Sequence, residues 1–288
     1  MNGTRVLAAG MLLAGLSLAS LAAAQSELTL PRVSPNATVM QTIGTTDLTV
    51  TYSRPGVKGR VIWGGLVPYD TPWRTGANDA TSFTATNDVM VAGNRLAAGK
   101  YSLFTIPTAG EWTVVFSKQT ELWGTNNYDP AQDALRVPAT PSAGEPVEWM
   151  RFTFENLTPS SADLVLRWEQ LAVVVPIAVD LGATVLPQMQ AAVAAGKADD
   201  WSTPYRAANW CFDAGMNLDE AGKWLAQSLA IREAYPNLNL KARWLAKDGK
   251  MKDAVSAAKK AIAAGKANDP PSDTSTLEKL MADWSKSM

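Results

Sequence analysis

Hydrophobic and polar residues alternate over 46–53, where Leu48, Val50 and Tyr52 fall on one side and Thr49 and Thr51 on the other. Period two with β-branched residues on the second face predicts a half-buried strand. A strand over 37–44 precedes it, joined by a tight hairpin at Gly44-Thr45. Similar short runs recur over 82–86, 89–92, 100–107, 111–118, 135–139, 147–156, 163–169 and 171–180. Turn signals every 8–12 residues between such runs predict two packed sheets. Pro176, inside the last run, predicts an edge position or a bulge there.

The period changes at Gly182. Beyond it alanine rises, β-branched residues thin out, and helices are predicted over 183–198, 202–214, 218–234, 238–246, 251–264 and 274–286. The run L-D-E-A-G-K-W-L-A-Q-S-L-A from Leu218 recurs as M-K-D-A-V-S-A-A-K-K-A-I-A from Met251. Gly249, Met251, Asp253 and Ala254 resemble the tetratricopeptide pattern, and the spacing is close to its 34-residue period. The fold class expected is mainly β plus α: an antiparallel, jelly-roll-like β-sandwich over 34–182, then a tetratricopeptide-like domain of helical hairpins over 183–288.

Two stretches follow neither period. Residues 53–81 carry recurrent Gly and Pro with Arg54, Arg60, Trp63, Tyr69, Trp73, Arg74, Asn78 and Asp79. Residues 119–133 carry Glu121, Trp123, Asn126, Asn127, Tyr128 and Asp129. Connections beyond about 12–15 residues without structure of their own are usually functional or disordered. Large aromatics argue against disorder, so the longer stretch is expected to be an ordered loop that lines a site.

Residues 1–24 read differently: Arg5, an apolar run over 6–21, and Ala22-Ala23-Ala24 before Gln25. This is the pattern of a secretory signal peptide. The expected localisation is therefore exported, periplasmic or extracellular, with no membrane span after cleavage. Loss of the leader removes Arg5 and leaves 25 basic against 27 acidic residues, net −2. That balance gives no electrostatic footprint for nucleic acid. The single cysteine, Cys211, closes no intrachain disulfide.

Histidine is absent. That removes Ser-His-Asp and Cys-His catalysis and any His-ligated metal. Catalysis would have to run on carboxylates, Lys, Tyr or backbone donors, and no metal or cofactor is expected.

The blocks R-P-G-V-K-G-R, W-R-T-G-A-N-D-A-T, A-G-K-Y-S-L-F-T-I-P and W-G-T-N-N-Y-D occur in this order between Arg54 and Asp129. Together they resemble an exported bacterial domain of unknown function, DUF2911, over about residues 34–179. The resemblance implies no activity. Its pattern more often has Glu where this chain has Asp79, whose arm is shorter.

Candidate ligand-binding residues are thus Arg54, Arg60, Trp73, Arg74, Asn78, Asp79, Trp123, Asn127 and Tyr128. Guanidinium forks suit carboxylates, phosphates or sugar diols, and aromatic walls with polar neighbours suit a sugar ring or peptide. The function expected is a non-catalytic binding module for a small polar ligand or peptide, its site formed jointly by the loops 54–81 and 119–133, with a protein partner surface on the helical tail. One alternative is a carboxylate-based hydrolase of a saccharide-like substrate, with Asp79 as base. Another is a structural, envelope-assembly protein whose loops plug the sandwich.

Overall fold

The computed structural model describes residues 30–287. The signal-peptide expectation for 1–24 lies outside the described residues. Ten strands come first: β1 (Asn36–Ile43), β2 (Thr46–Ser53), β3 (Thr81–Ala85), β4 (Val89–Val91), β5 (Asn94–Leu96), β6 (Gly99–Ile106), β7 (Trp112–Ser117), β8 (Asp133–Ala139), β9 (Ser142–Glu155) and β10 (Ser161–Ala178). Two antiparallel sheets result, ordered β1-β2-β3-β6-β7-β8 and β5-β4-β10-β9. They form an open sandwich around one core, to which β2 gives Leu48, Val50 and Tyr52 and β7 gives Trp112, Val114 and Phe116.

Three details differ from the sequence reading. Strand β5 was not predicted, because Asn94 and Arg95 are exposed and only Leu96 reaches the core. Strand β9 starts five residues earlier than the 147–156 run. The two runs 163–169 and 171–180 are one strand, β10, whose pairing with β9 slips on both sides of Glu169. Pro176 needs no N–H where it sits. Pairing with β9 has ended at Ala172–Ser142, and the Pro176 carbonyl accepts from Ala92 N at 2.8 Å.

Six helices follow: α1 (Leu181–Ala194), α2 (Ser202–Ala214), α3 (Leu218–Ile231), α4 (Tyr235–Lys247), α5 (Met251–Lys266) and α6 (Ser275–Lys286). Gly215 and Gly249 end α2 and α4 in the left-handed conformation, where glycine carries no Cβ penalty. These turns make hairpins of α2 with α3 and of α4 with α5. The repeat-equivalent alanines Ala221 and Ala254 are both fully buried, which lets paired helices approach closely. Where the strands give way to helices, Leu181 packs on the sandwich core. A Cβ on Gly44, itself at φ 58°, would lie 2.3 Å from the Leu181 side chain, so the β1–β2 turn requires glycine.

The 27 residues between β2 and β3 are ordered, and they attach to both sheets. Gly56 pairs with Trp149 along β9, with Val57 N donating to Glu148 O and Met150 N to Pro55 O. Trp73 exchanges both backbone hydrogen bonds with Thr105, at 2.7 and 2.9 Å, taking up the place beside β6 where β3 has ended. Between these anchors Trp63 meets Trp73, Trp112 and Trp168 at centroid distances of 5.8, 4.7 and 5.7 Å. Trp73 stacks on Trp168 at 5.7 Å and donates its indole N–H to Gly76 O. Large aromatics dominate core energetics, so this cluster is the seal between the sheets at the end the loop covers.

Trp73→Ala should therefore cost about 3–5 kcal/mol of unfolding free energy, as for other buried tryptophans. Val61→Ala, in the same loop but 75% exposed, should stay within about 0.5 kcal/mol of wild type. Urea denaturation of both variants checks this. Equal costs would mean that the loop is not anchored by its tryptophans.

Candidate functional site

Two of the loop arginines hold the loop itself. Arg54 donates through Nε to Met150 O at 2.8 Å, and Arg60 donates to the carbonyls of Val57 and Gly56. Trp73, 8% exposed, is part of the sandwich core. Four non-glycine residues in this loop, Lys58, Asp70, Thr75 and Asn78, adopt positive φ. The β-branched Thr75 at φ 49° is the costliest. It is fully buried and held by hydrogen bonds from its hydroxyl to Trp73 O and Thr105 Oγ1. Strained backbone of this kind persists only where its surroundings over-determine it.

That strain delivers residues 78–80 to the edge of β3. Asn78 donates to Ser53 Oγ at 3.2 Å, next to the end of β2. Asp79 pairs with Trp123 in an isolated bridge, and Ala80 N donates to Leu122 O at 2.9 Å. The two irregular stretches therefore meet, as the sequence reading expected.

The second stretch folds back over the outer face of the six-stranded sheet. Tyr128 packs its ring 4.8 Å from that of Phe104, a fully buried residue that is not part of the sandwich core. Its hydroxyl donates to Asp133 at 2.7 Å and accepts from Arg136 at 2.9 Å. Asp129 caps the short 3-10 turn Pro130–Gln132. Asn127 is exposed, and its carbonyl accepts from Gln119 Nε2. Trp123 is 70% exposed.

The register shows what the second stretch covers. Thr38, Thr51, Ser82, Ser102 and Ser117 form one cross-strand row on the outer face. Thr38 and Thr51 are exposed, Ser82 is half-buried, and Ser102 and Ser117 are fully buried. Beside Ser82, where the cover begins, a cleft of about 280 Å³ opens. Thr51, Ser53, Ser82 and Lys100 come to it from the strands, Asp79 and Ala80 from the first stretch, and Thr120, Glu121 and Leu122 from the second. Its walls carry the hydroxyls of Thr51, Ser53, Ser82 and Thr120, two carboxylates, one ammonium and the apolar Ala80 and Leu122.

Of the candidates read from sequence, Asp79 alone lines this cleft. Asn78 braces its rim through Ser53, and Trp123 lies alongside through its bridge to Asp79. Arg54, Arg60 and Trp73 serve the loop and the core, while Asn127 and Tyr128 belong to the cover. Lys100, Thr51 and Ser82 were not singled out. Alternation put Thr51 on the polar face of its strand, and only the register places the three together. Arg74 stands apart. It is half-buried, its Nε is buried without a partner, and burial depresses its pKa. Among the described residues no three His, Cys, Asp or Glu side chains gather as a metal ion would require.

Burial, reinforced by the Asp133 carboxylate that accepts its hydrogen bond, pushes the Tyr128 phenol up to about 12. An unfolded tyrosine titrates near pH 10. The protonated phenol thus favours the fold fully below about pH 10, and its contribution is lost as the pH rises through about 12. An alkaline absorbance titration of wild type minus Tyr128→Phe should show one phenol ionising near pH 12. A difference curve centred near pH 10 would mean that 119–133 does not hold Tyr128 against the sheet.

No curated protein and no solved structure matches the chain. One family, described as a protein of unknown function (DUF2911), matches residues 34–177. The match covers the sandwich, both irregular stretches and the cleft, and on that half of its length the chain belongs to this family.

Proposed function

We propose that the chain is an exported binding module whose cleft at Asp79, Glu121 and Lys100 takes a small polyhydroxylated, saccharide-like ligand. The observation that carries this reading is the convergence of both irregular stretches on one open, hydroxyl-lined cleft at the boundary of the sheet's cover. Carboxylates and an ammonium beside several hydroxyls match the alternating donors and acceptors of a sugar. The exposed Trp123 offers an apolar face nearby. At about 280 Å³ the cleft falls just below the usual range of ligand sites, which begins near 300 Å³, and suits one ring rather than a chain.

A second reading has one specific support. Asp79 and Glu121 line the same cleft, and glycoside hydrolysis runs on a pair of carboxyl groups. The two readings separate on turnover.

A thermal-shift screen of the protein against neutral sugars, short peptides and divalent ions tests both, since a ligand that binds only the native state raises the midpoint. The binding reading expects a rise with a sugar that Asp79→Asn and Glu121→Gln each reduce, with the sugar recovered intact. Cleavage of a glycoside by wild type, lost about 100-fold or more in either variant, would convert the module into a hydrolase. Sugar responses identical in wild type and both variants would take the ligand away from this cleft.

A further inference from the structure

Arg167 of β10 stands directly opposite Arg151 of β9 in the four-stranded sheet. Like charges directly opposite on a sheet are destabilising, and one carboxylate compensates only one of this pair. Arg167 donates to both oxygens of Glu155, through Nε at 3.3 Å and Nη2 at 2.8 Å, and the Thr153 hydroxyl adds a third hydrogen bond at 2.7 Å. These bonds, from Arg167 first, hold the Glu155 carboxyl below the usual carboxylate range, so it stays ionised. Arg151 is exposed, and among the described residues it makes no hydrogen bond or ion pair.

The two strands lose step next to this pair. Arg167, Glu169 and Leu171 face Arg151, Val147 and Ala143, so β9 advances eight residues while β10 advances four. Bulges bend a strand, re-aim its side chains and recur beside sites. Glu169, in the middle of the slip, has φ 55°, an uncommon conformation for a residue other than glycine. The surplus backbone at Ala143, Gly144 and Glu145 lines an open cavity of about 710 Å³ together with Arg151, Glu155 and Arg167. Gly144 lies against the Arg167 guanidinium, since a Cβ there would sit 3.6 Å from Nη1. Nη1 is the guanidinium nitrogen that the Glu155 pair leaves unused. Glu145, like Arg151, is exposed and makes no hydrogen bond or ion pair among the described residues. One cation and one anion thus line the cavity without a partner.

We propose that this cavity binds a short peptide with both ends free, its carboxylate on Arg151 and Arg167 Nη1 and its ammonium on Glu145. The planar fork of guanidinium matches a carboxylate in shape. A lining of two arginines and two glutamates is neutral overall, and with one open charge of each sign it favours a zwitterion over a simple anion. Glu145 lies between Ala143 and Val147, so its level on β10 is about three residues, or about 10 Å, from that of Arg151. Two or three extended residues span about that length. Because β9 is the edge of its sheet, charges on it also discourage pairing with another chain, but any charge would serve that role, and it predicts no ligand. The proposal invokes no residue of the Asp79 cleft and stands whether or not that cleft binds a sugar.

The test is isothermal titration calorimetry of the full chain with dialanine and trialanine, each also as its N-acetyl and its C-terminal amide form. At least one free peptide should bind saturably, and blocking either end should weaken it by about tenfold or more, as for loss of a charged hydrogen bond. Arg151→Gln and Glu145→Gln should each weaken it by a similar factor. Both residues are exposed, so both variants should melt with the wild type, whereas Asp79→Asn should leave peptide binding unchanged. No saturable binding of either free peptide overturns the proposal. Equal binding of the N-acetyl forms, or inorganic phosphate displacing nothing in Glu145→Gln but binding wild type as tightly as the peptide, would make this a simple anion site and overturn it. Binding kept in Arg151→Gln and lost in Asp79→Asn would move the peptide to the other cleft and overturn it as well.

Discussion

The structure depends on how the 27 residues between β2 and β3 are sealed against both sheets. A connection of that length is entropically expensive to order and is compensated only by burying apolar surface. The four indoles of Trp63, Trp73, Trp112 and Trp168 supply that burial at the open end of the sandwich. Backbone pairing at Gly56 and Trp73 keeps the polar main chain satisfied while this happens. Each anchor belongs to a different sheet, so the connection also fixes the spacing of the sandwich at that end. The seal is not free of tension: the Trp63 and Trp168 indole nitrogens are buried without partners.

From this seal the geometry of the candidate site follows. Once Trp73 is locked beside Thr105, the chain must reverse within eight residues to enter β3 at Thr81. It does so through Thr75 and Asn78 at positive φ, stitched by hydrogen bonds from Trp73 Nε1 to Gly76 O and from Thr81 Oγ1 to Thr75 O. The reversal presents Asp79 at the rim of β3. Its position is thus a consequence of where one indole is buried, at a distance from it.

This also explains what was legible in the sequence. Alternation marked β2 over 46–53 and helical spacing marked α2 over 202–214, with the boundaries the structure has. The sandwich-then-helices order, the equivalence of Ala221 and Ala254, and the meeting of the two irregular stretches were also within reach. Strand β5 was not, because three residues with one core side chain carry no period. Nor was the fate of the tryptophans. In a stretch without periodicity nothing distinguishes an indole that faces solvent from one that enters a core, so Trp73 and Trp123 looked alike. The structure buries the first and leaves the second 70% exposed. Lys100, Thr51 and Ser82 were hidden for the opposite reason: each looked like any residue on the solvent side of a strand, and register alone assembles them.

The cleft itself arises from an incomplete cover. The outer-face row of hydroxyls runs from Thr38 to Ser117, and residues 119–133 lie over only its β6–β8 end. At that end the buried Phe104 and Val115 give the cover an apolar surface to rest on, and Ser102 is left buried without a hydrogen-bond partner. On β1 to β3 the same face offers Thr38, Thr49, Thr51 and Thr84 with Met40 among them, so a covering loop finds less apolar surface to bury there. The cover therefore stops where the sheet turns polar. The step at its edge, floored by hydroxyls and walled by Asp79 and Glu121, is a concavity set by side-chain polarity along two rows of strands. A ligand that extends the cover across the polar rows has to replace water's hydrogen bonds rather than merely exclude water, which is the demand a polyhydroxylated molecule can meet.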